Sequence, residues 1–584
     1  MKNLFIILTP LLLSLNTSAQ TNYFVDDLSG NDLNNGTSLA TAWKTIQNAC
    51  NTATPNSVVQ IKAGTYNENI VVNISGTPGN FITLKNYLND VVLIDGTGTS
   101  GTTMLSITDK SFLNFQNLTI QNLTVNDAQG ILIETTGNNS STELSFKNIT
   151  IKNINWTSNP LTIPASNNNA QSFIAYGGDG GITNITIDSC KVFNNILGFS
   201  EAITLDGNVD GFTIKNCEIH DNTNIGIDIA GNYLVSSNPT TDHARNGVLV
   251  NNTCYKNVSL AATSAGIYVD GGQNVLIEKN KCYENGNGIE IGCEENGTTN
   301  TIMVKNNLIY NNQEVGIYVG GYTTSTSGQV LDCIIRNNTL FKNNSLNNGT
   351  GEMNISKASN CVFENNIFYT NSQDVLFSVD AISPQTNNVF NYNCWFTPAN
   401  DPNNITVNWR TSTYSTFADY QTGISDEANS IYNNPDLVNP VLPAPDLHLL
   451  TASPCIHAGN PGTVITTGEL DYYGNTRLIG SNIDIGASEF DATTGIINII
   501  KDSDYFYAYP NPFASETTIS FNTELKNAEL KIFNTLGQEI KKQNFKLQNV
   551  QRITIKRNDL ISGLYLYAIT EENRPVATGK LIVE

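Results

Sequence analysis

Charge is what this 584-residue chain has least of: Asp, Glu, Lys and Arg together make 14% of it, against roughly a quarter in ordinary globular domains. So sparse a set of ionisable side chains argues against a coiled coil, and 44 Gly with 18 Pro argue against long helices. Positive charge is scarcer still. Thirty Lys and Arg stand against 52 Asp and Glu, a formal charge of −22, with four His and no basic run. Phosphate neutralisation needs clustered Lys and Arg, so a nucleic-acid partner is excluded. After the first twenty residues no apolar stretch approaches the ~18 residues of a membrane-crossing helix, and the mature chain is expected to carry no transmembrane segment. No Cys-x-x-Cys and no Cys/His cluster occurs, which argues against a zinc site.

With 39% hydrophobic residues the chain is nevertheless not disordered. Its length exceeds the ~250–300 residues at which single cores stop growing, so it is either several domains or a quasi-linear repeat. Residues 185–371 decide for the repeat. Seven segments align on an aromatic residue followed two positions later by Asn, at an irregular spacing of 27–35 residues. The aromatic column is Phe193, His220, Tyr255, Tyr283, Tyr310, Phe341 and Tyr369. Three positions earlier stand Cys190, Cys217, Asn252, Asn280, Asn307, Asn338 and Asn366. Two positions later stand Asn195, Asn222, Asn257, Asn285, Asn312, Asn343 and Asn371. Apolar alternation within each segment has period two, which makes them short strands. An amide side chain can bond its counterpart one coil away when coils stack about 4.8 Å apart, and Asn also tolerates the left-handed backbone of a tight corner. The expected fold is all-β: a right-handed parallel β-helix, followed by a small C-terminal β-sandwich. Most of the ten Cys are expected to be buried small hydrophobes rather than disulfides, Cys254 with Cys282, Cys333 with Cys361 and Cys190 with Cys217 sharing columns.

The ends carry the domain boundaries. Residues 1–19, with Lys2, an apolar run from Leu4 to Leu15 and small Ser18 and Ala19, read as a signal peptide. The solenoid is expected over 20–448, a closing module over 449–490, a linker over 491–504 and a separate domain over 505–584. That last stretch holds 10 basic and 8 acidic residues, so the acidity belongs to the solenoid. YFVDDLSGNDLNNG, AWKTIQ and AGTY resemble the first-coil cap of secreted β-helix carbohydrate-active proteins, with Trp43, Ile46 and Tyr66 covering the open end. SPCIHAG, LDYYGNTR and DIGASEF resemble the closing module of surface-anchored β-helix proteins, in which Asp471, Arg477, Asp484 and Glu489 would form internal ion pairs. YPNPF, LKIFNTLGQEI and the final GKLIV resemble the C-terminal sorting domain of the type IX secretion pathway of Bacteroidetes. That resemblance implies the secretion machinery as a partner, and a secreted or surface-attached product; the chain is expected to be a monomer.

A second strand follows each aromatic–x–Asn turn. Ile203, Ile227, Ile267, Ile289, Ile317 and Met353 point inward, so Thr204, Asp228, Tyr268, Glu290, Tyr318 and Asn354 point outward. Two residues on, the outward set is Asp206, Ala230, Asp270, Gly292, Gly320 and Ser356, with Glu294 and Tyr322 extending the face. Stacked like charges are destabilising, so four acids on one face call for a function. Acids beside aromatics, with small neighbours leaving a trough, suit a polysaccharide groove.

Asp228, Asp270 and Glu290 are the expected catalytic residues. Tyr268 and Tyr318 would be sugar platforms, Arg245 a clamp, and His243, Asp206 and Glu294 further substrate contacts. Asp270 and Glu290, one coil apart and two residues along, lie roughly 8 Å apart on strand geometry, within the inverting-glycosidase range of about 6.5–9.5 Å; side-chain rotamers shift this by several ångströms, so the retaining spacing of about 5–5.5 Å stays open. Hydrolysis needs no cofactor. The alternative is β-elimination on a uronate, with Ca2+ among Asp206, Asp228, Asp270 and Glu290, and Arg245, Lys357, Tyr268 or Tyr318 as base; the acid-rich composition is similar to that of calcium lyases on this fold. The adjacent aspartates and Gly-His-Gly element of polygalacturonases are absent. A non-catalytic glycan-binding or adhesin solenoid is the remaining class.

Overall fold

Parallel strands stack best when like residues fall in register, and the repeat supplies them. The acid-bearing strands are β1 (Ile203–Lys215), β2 (Ile227–Ala230), β3 (Ala265–Asp270), β4 (Asn287–Gly292), β5 (Ile317–Val319) and β6 (Met353–Ile355). Ile203, Ile227, Ile267, Ile289, Ile317 and Met353 pair in one unbroken column, each fully buried. In this computed structural model the described residues are 19–322, 326–372, 375–491, 506–534, 538–557, 560–571 and 574–583. The expected signal peptide, apart from its last residue, and the linker beyond Asp491 lie outside them. The chain divides after Phe490.

In the first unit, a 26-stranded and a 13-stranded sheet wind around a continuous apolar core. Both asparagine columns form hydrogen-bonded ladders. In the first, each Nδ2 donates to the Oδ1 of the next coil, from Asn252 through Asn280, Asn307, Asn338 and Asn366 to Asn393 at 2.9–3.2 Å. In the second the donation runs from Asn195 through Asn222, Asn257, Asn285 and Asn312 to Asn343 at 2.8–3.1 Å. Two details differ from expectation. Asn371 does not extend the second ladder; its amide donates to the carbonyls of Asn343 and Asn344. The left-handed backbone falls one residue before each ladder position, at Asn251, Lys279, Asn306 and Asn337 in one corner and at Lys256, Glu284 and Asn311 in the other. The ladder positions therefore need Asn for its amide rather than for its backbone freedom.

Phe193, His220, Tyr255, Tyr283 and Tyr310 stack with ring centroids 4.6–5.0 Å apart, which accounts for His220 without chemistry. All ten Cys are free and buried. At the N-terminal end Trp43, Ile46 and Tyr66 are buried, and α1 (Ile46–Thr52) is capped by Thr45 and by Glu68, whose carboxylate accepts from the Ile46 and Gln47 amides. At the other end Tyr420 of α2 (Phe417–Ile424) packs over Phe377, Trp395 and Trp409. The segment expected to close the solenoid lies elsewhere. Leu447, Leu449, Cys455 and Ile485 pack with Tyr310, Phe341 and Ile367, on the outer face of the 13-stranded sheet. Glu469 reaches Lys305 at 3.0 Å and Arg336 at 3.8 Å. Asp471, Arg477, Asp484 and Glu489 are buried within it, Arg477 Nε lying 3.7 Å from Glu489.

In the second unit five described strands pair antiparallel, two of them 18 residues long. Glu516–Phe533 changes register along its length, and its Ile519, Leu530 and Ile532 share one core with Ile553, Ile555, Tyr567 and Leu581.

Candidate active site

The outward columns come together as the period-two pattern requires. Thr204 pairs with Asp228, Asp228 with Tyr268, Tyr268 with Glu290, Glu290 with Tyr318 and Tyr318 with Asn354. The neighbouring column runs Tyr176, Asp206, then Ala230, Asp270 and Gly292. What the pattern does not reveal is how deeply these outward residues are covered: Asp270 is 2% exposed, Tyr268 4%, Asp228 6% and Asp206 7%. Glu201, Glu290 and Tyr318 are half-buried, while Glu294, Tyr233 and Tyr322 stand exposed at the edge.

Tyr268 is not an open sugar platform. Its ring packs with Ile225 and Ala265, and its hydroxyl lies where a Cβ on Gly292 would come within 2.8 Å of it. Position 292 is glycine because the tyrosine fills its side-chain space, so this glycine is floor rather than trough. Tyr318 is tethered through its hydroxyl to Ser356 Oγ at 3.1 Å. Arg245 is no free clamp: its terminal nitrogens reach Asp210 at 3.0 Å, Asn208 Oδ1 at 2.9 Å and the carbonyls of Thr241 and His243 at 3.2 and 3.1 Å. His243 is buried, its ring nitrogens against the carbonyls of Gly271 (3.0 Å) and Pro239 (3.1 Å). Lys357 is buried as well and donates to the Ser327 carbonyl at 2.5 Å.

Two participants escaped the sequence reading. Glu201, just ahead of β1, accepts from Thr204 Oγ1 at 3.0 Å. Tyr233 comes from the loop after β2 and donates its phenol hydrogen to Asp270 Oδ2, while the Glu294 amide donates to Oδ1 at 2.6 Å. The loop is shaped from within: Asp242 accepts from the Leu234 and Ser236 amides at 2.7 and 2.8 Å, and Asp179 from that of Ser237 at 2.6 Å. Glu201 stands three residues before Thr204, the first outward position, and Tyr233 follows a Gly-Asn turn; neither carries a periodic signal.

Burial acts on all six carboxyls in one direction, because a low-dielectric setting disfavours the charged form. Glu290 is pushed up to about 8 by burial, with Glu294 and Asp270 adding to it. Glu201 rises to about 8 through burial and then Glu294, Asp270 and Asp206. Asp206 rises to about 7 through burial and Asp242. Asp228 is held far above the usual range by burial and by Glu201 and Asp270. Asp270, raised to about 7 by burial and Glu294, is partly restrained by its bonds from Tyr233 and the Glu294 amide. Glu294 is raised by partial burial and by Glu295. Among the described residues no Lys, Arg or His relieves any of the six.

Asp206 Oδ1 and Asp228 Oδ1 are buried without a hydrogen-bond partner. Hard carboxylate oxygens suit Ca2+ chemically. Among the described residues, however, no three carboxyl, imidazole or thiol groups converge to hold a metal ion, so the side chains as arranged do not form a calcium cage.

A family model described as a right handed beta helix region matches residues 166–340 and 247–434, and one described as a secretion system C-terminal sorting domain matches 507–584. The second is the address of type IX export, so the chain engages that secretion machinery and is delivered to the cell surface or exterior. No described helix is long and apolar enough to cross a membrane. The Bacillus subtilis (strain 168) protein YwoF, itself described as uncharacterized, is 31% identical over 433 residues, covering 72% of this chain and 89% of its own. Among solved structures, pectate lyase Pel9A is 15% identical with a TM-score of 0.41, covering 81% of this chain and 97% of its own. The GH136 lacto-N-biosidase from Eubacterium ramulus is 12% identical with a TM-score of 0.42, covering 71% and 67%. The Azotobacter vinelandii mannuronan C-5 epimerase AlgE6 A-module is 12% identical with a TM-score of 0.37, covering 67% and 87%. Likenesses this distant carry no argument about activity.

Proposed function

The chain belongs to the family of the Bacillus subtilis protein YwoF, and from that footing we propose that it is a secreted glycoside hydrolase acting on a polysaccharide through Asp270 and Glu290. The observation that carries this reading is the contrast between those two carboxyls. Both are lifted into the neutral range, yet their hydrogen bonds differ. Asp270 accepts from the Tyr233 phenol and the Glu294 amide, two donors that favour its ionised form. Glu290 accepts from a single amide, Asn287 Nδ2 at 3.1 Å. Environments that treat two acids differently assign their roles.

Glu290, protonated near neutrality, gives its proton to the leaving glycosidic oxygen. Asp270, ionised, takes a proton from the water that attacks the anomeric carbon from the opposite face. The glycosidic bond breaks, water adds across it, and the two carboxyls end with their protons exchanged. Register sets the pair one strand apart and two residues along, about 8 Å on strand geometry, which supports inversion of configuration. Asp228, strongly disposed to stay protonated, acts as a positioning neighbour between β1 and β3.

One observation favours elimination instead: the two partnerless oxygens of Asp206 and Asp228 are where a cation would find acceptors. Both readings are tested by incubating the protein with a panel of plant and algal polysaccharides, with Ca2+ or with chelator, following reducing ends and near-ultraviolet absorbance together. Reducing ends without absorbance, surviving chelation, with an inverted anomer by NMR, support the hydrolase. Both signals rising and both lost with chelator would replace it by a lyase. Silence across the panel would favour the binding solenoid.

A further inference from the structure

We infer that the acidic face is selective for an uncharged polysaccharide and rejects polyuronates. The inference rests on the carbohydrate-cleaving reading and deepens it by naming the substrate class. Its first support is the fate of the cations. A site for a polyanion needs Lys or Arg free to face the incoming carboxylates. Arg245 is consumed by Asp210, Asn208 and two carbonyls, and Lys357 by the Ser327 carbonyl. His243 is buried against two carbonyls. Between residues 19 and 490 the only positions outside the description are Thr323, Thr324, Ser325, Gln373 and Asp374, none of them cationic.

The second support is independent of charge. Asp206 Oδ1 and Asp228 Oδ1 are acceptors without donors, on side chains more than nine-tenths buried. A partnerless buried acceptor is costly, and a ligand that brings donors relieves it. Sugar hydroxyls donate and accept; in a uronate the carboxylate that replaces the C6 hydroxyl only accepts, so each residue brings one donor fewer. Carboxyls that are part protonated near neutrality likewise both donate and accept, so they match hydroxyl pairs. A polyuronate would instead add its own charge to six acids lacking a counter-ion. Exposed rings at the edge, Tyr233 and Tyr322, offer faces to the apolar side of a pyranose, a contact that needs no charge.

The test uses the full chain carrying Glu290→Gln, which stops turnover, in affinity electrophoresis at pH 7 with and without Ca2+. The probes are galactomannan, mixed-linkage β-glucan, xyloglucan, polygalacturonate, alginate and chitosan. Retardation by at least one uncharged polymer, with polyuronates at least about tenfold weaker, is the expected result. In the same assay Glu294→Lys, at the exposed edge, is expected to raise polyuronate affinity by about tenfold by reversing one of the repelling charges. Equal or stronger retardation by polyuronates, retardation by chitosan alone, or none by any uncharged polymer overturns the inference. Wild-type turnover separates the two ideas. An uncharged polymer bound but not cleaved sinks the hydrolase and leaves the selectivity standing, whereas hydrolysis of a polyuronate does the reverse.

Discussion

The side-chain amide of Asn343 donates to Oε2 of Glu352 at 2.7 Å while its backbone N–H donates to Oε1 at 3.0 Å, so a ladder of stacked amides ends on a buried carboxylate. The other ladder ends alike, Asn393 Nδ2 facing the two oxygens of Glu427 at 3.5 and 3.3 Å. A chain of amides donating in one direction must end on an acceptor, and a carboxyl offers two oxygens that can accept there. Replacing Glu352 by Ala strands two buried donors and is expected to cost about 2–4 kcal/mol. Urea unfolding at pH 6 measures it, and a loss under about 0.5 kcal/mol would refute the terminus role.

Inside the ladder each amide bonds in both directions. Asn285 accepts from the Asn257 backbone and amide at 3.1 and 2.9 Å, and donates to the Cys254 carbonyl and to Asn312 at 3.0 and 3.1 Å. Asn285→Ala leaves groups unpaired on both adjoining coils and is expected to destabilise by about 2–4 kcal/mol. Asn285→Asp keeps the acceptor and should lose less at pH 4 than at pH 7. A pH-independent loss would speak against that account.

Stability itself should fall as pH rises from 5 to 8. Glu201, Glu290, Glu352 and Glu489 are raised to about 8, and Asp206, Asp270 and Glu427 to about 7. Each binds its proton more tightly folded than unfolded. Its contribution is therefore whole below its unfolded pKa near 4 and is lost as pH climbs through the folded value. Asp26, Asp95, Asp109 and Asp188, lowered by hydrogen bonds and ion pairs, act oppositely and only at the acid end. Calorimetry should find a higher Tm at pH 5 than at pH 8. A Tm that is flat or rises over this window would contradict the burial of these groups.

Asp270→Asn and Glu290→Gln should each lower kcat by about 10²–10⁴ with Tm held or raised, since each removes an elevated carboxyl without changing shape. Comparable kcat in either variant would remove that residue from the mechanism.

Tyr233→Phe deletes a donor that favours ionised Asp270. The Asp270 pKa should then rise, moving the acid limb of the kcat/KM profile up by roughly one unit. An unmoved limb would mean that Tyr233 serves only as loop packing.

The sequence by itself determined the coil, the pairing of its columns, both ladders and the apolar stack beneath the acids. Each follows from a period of two repeated at one register, and stacking parallel strands converts that repetition directly into contact. Whether an outward residue is open or covered was decided by tertiary structure. Tyr268 lies down over Gly292, Arg245 and His243 turn to carbonyls of their own neighbourhood, and the segment after 448 seats on a sheet face instead of the solenoid's end. Tyr233 and Glu201 join the site on the same terms. These placements depend on which of several nearby donors, acceptors and apolar surfaces wins a side chain, and that competition between segments distant in sequence leaves no periodic trace in it.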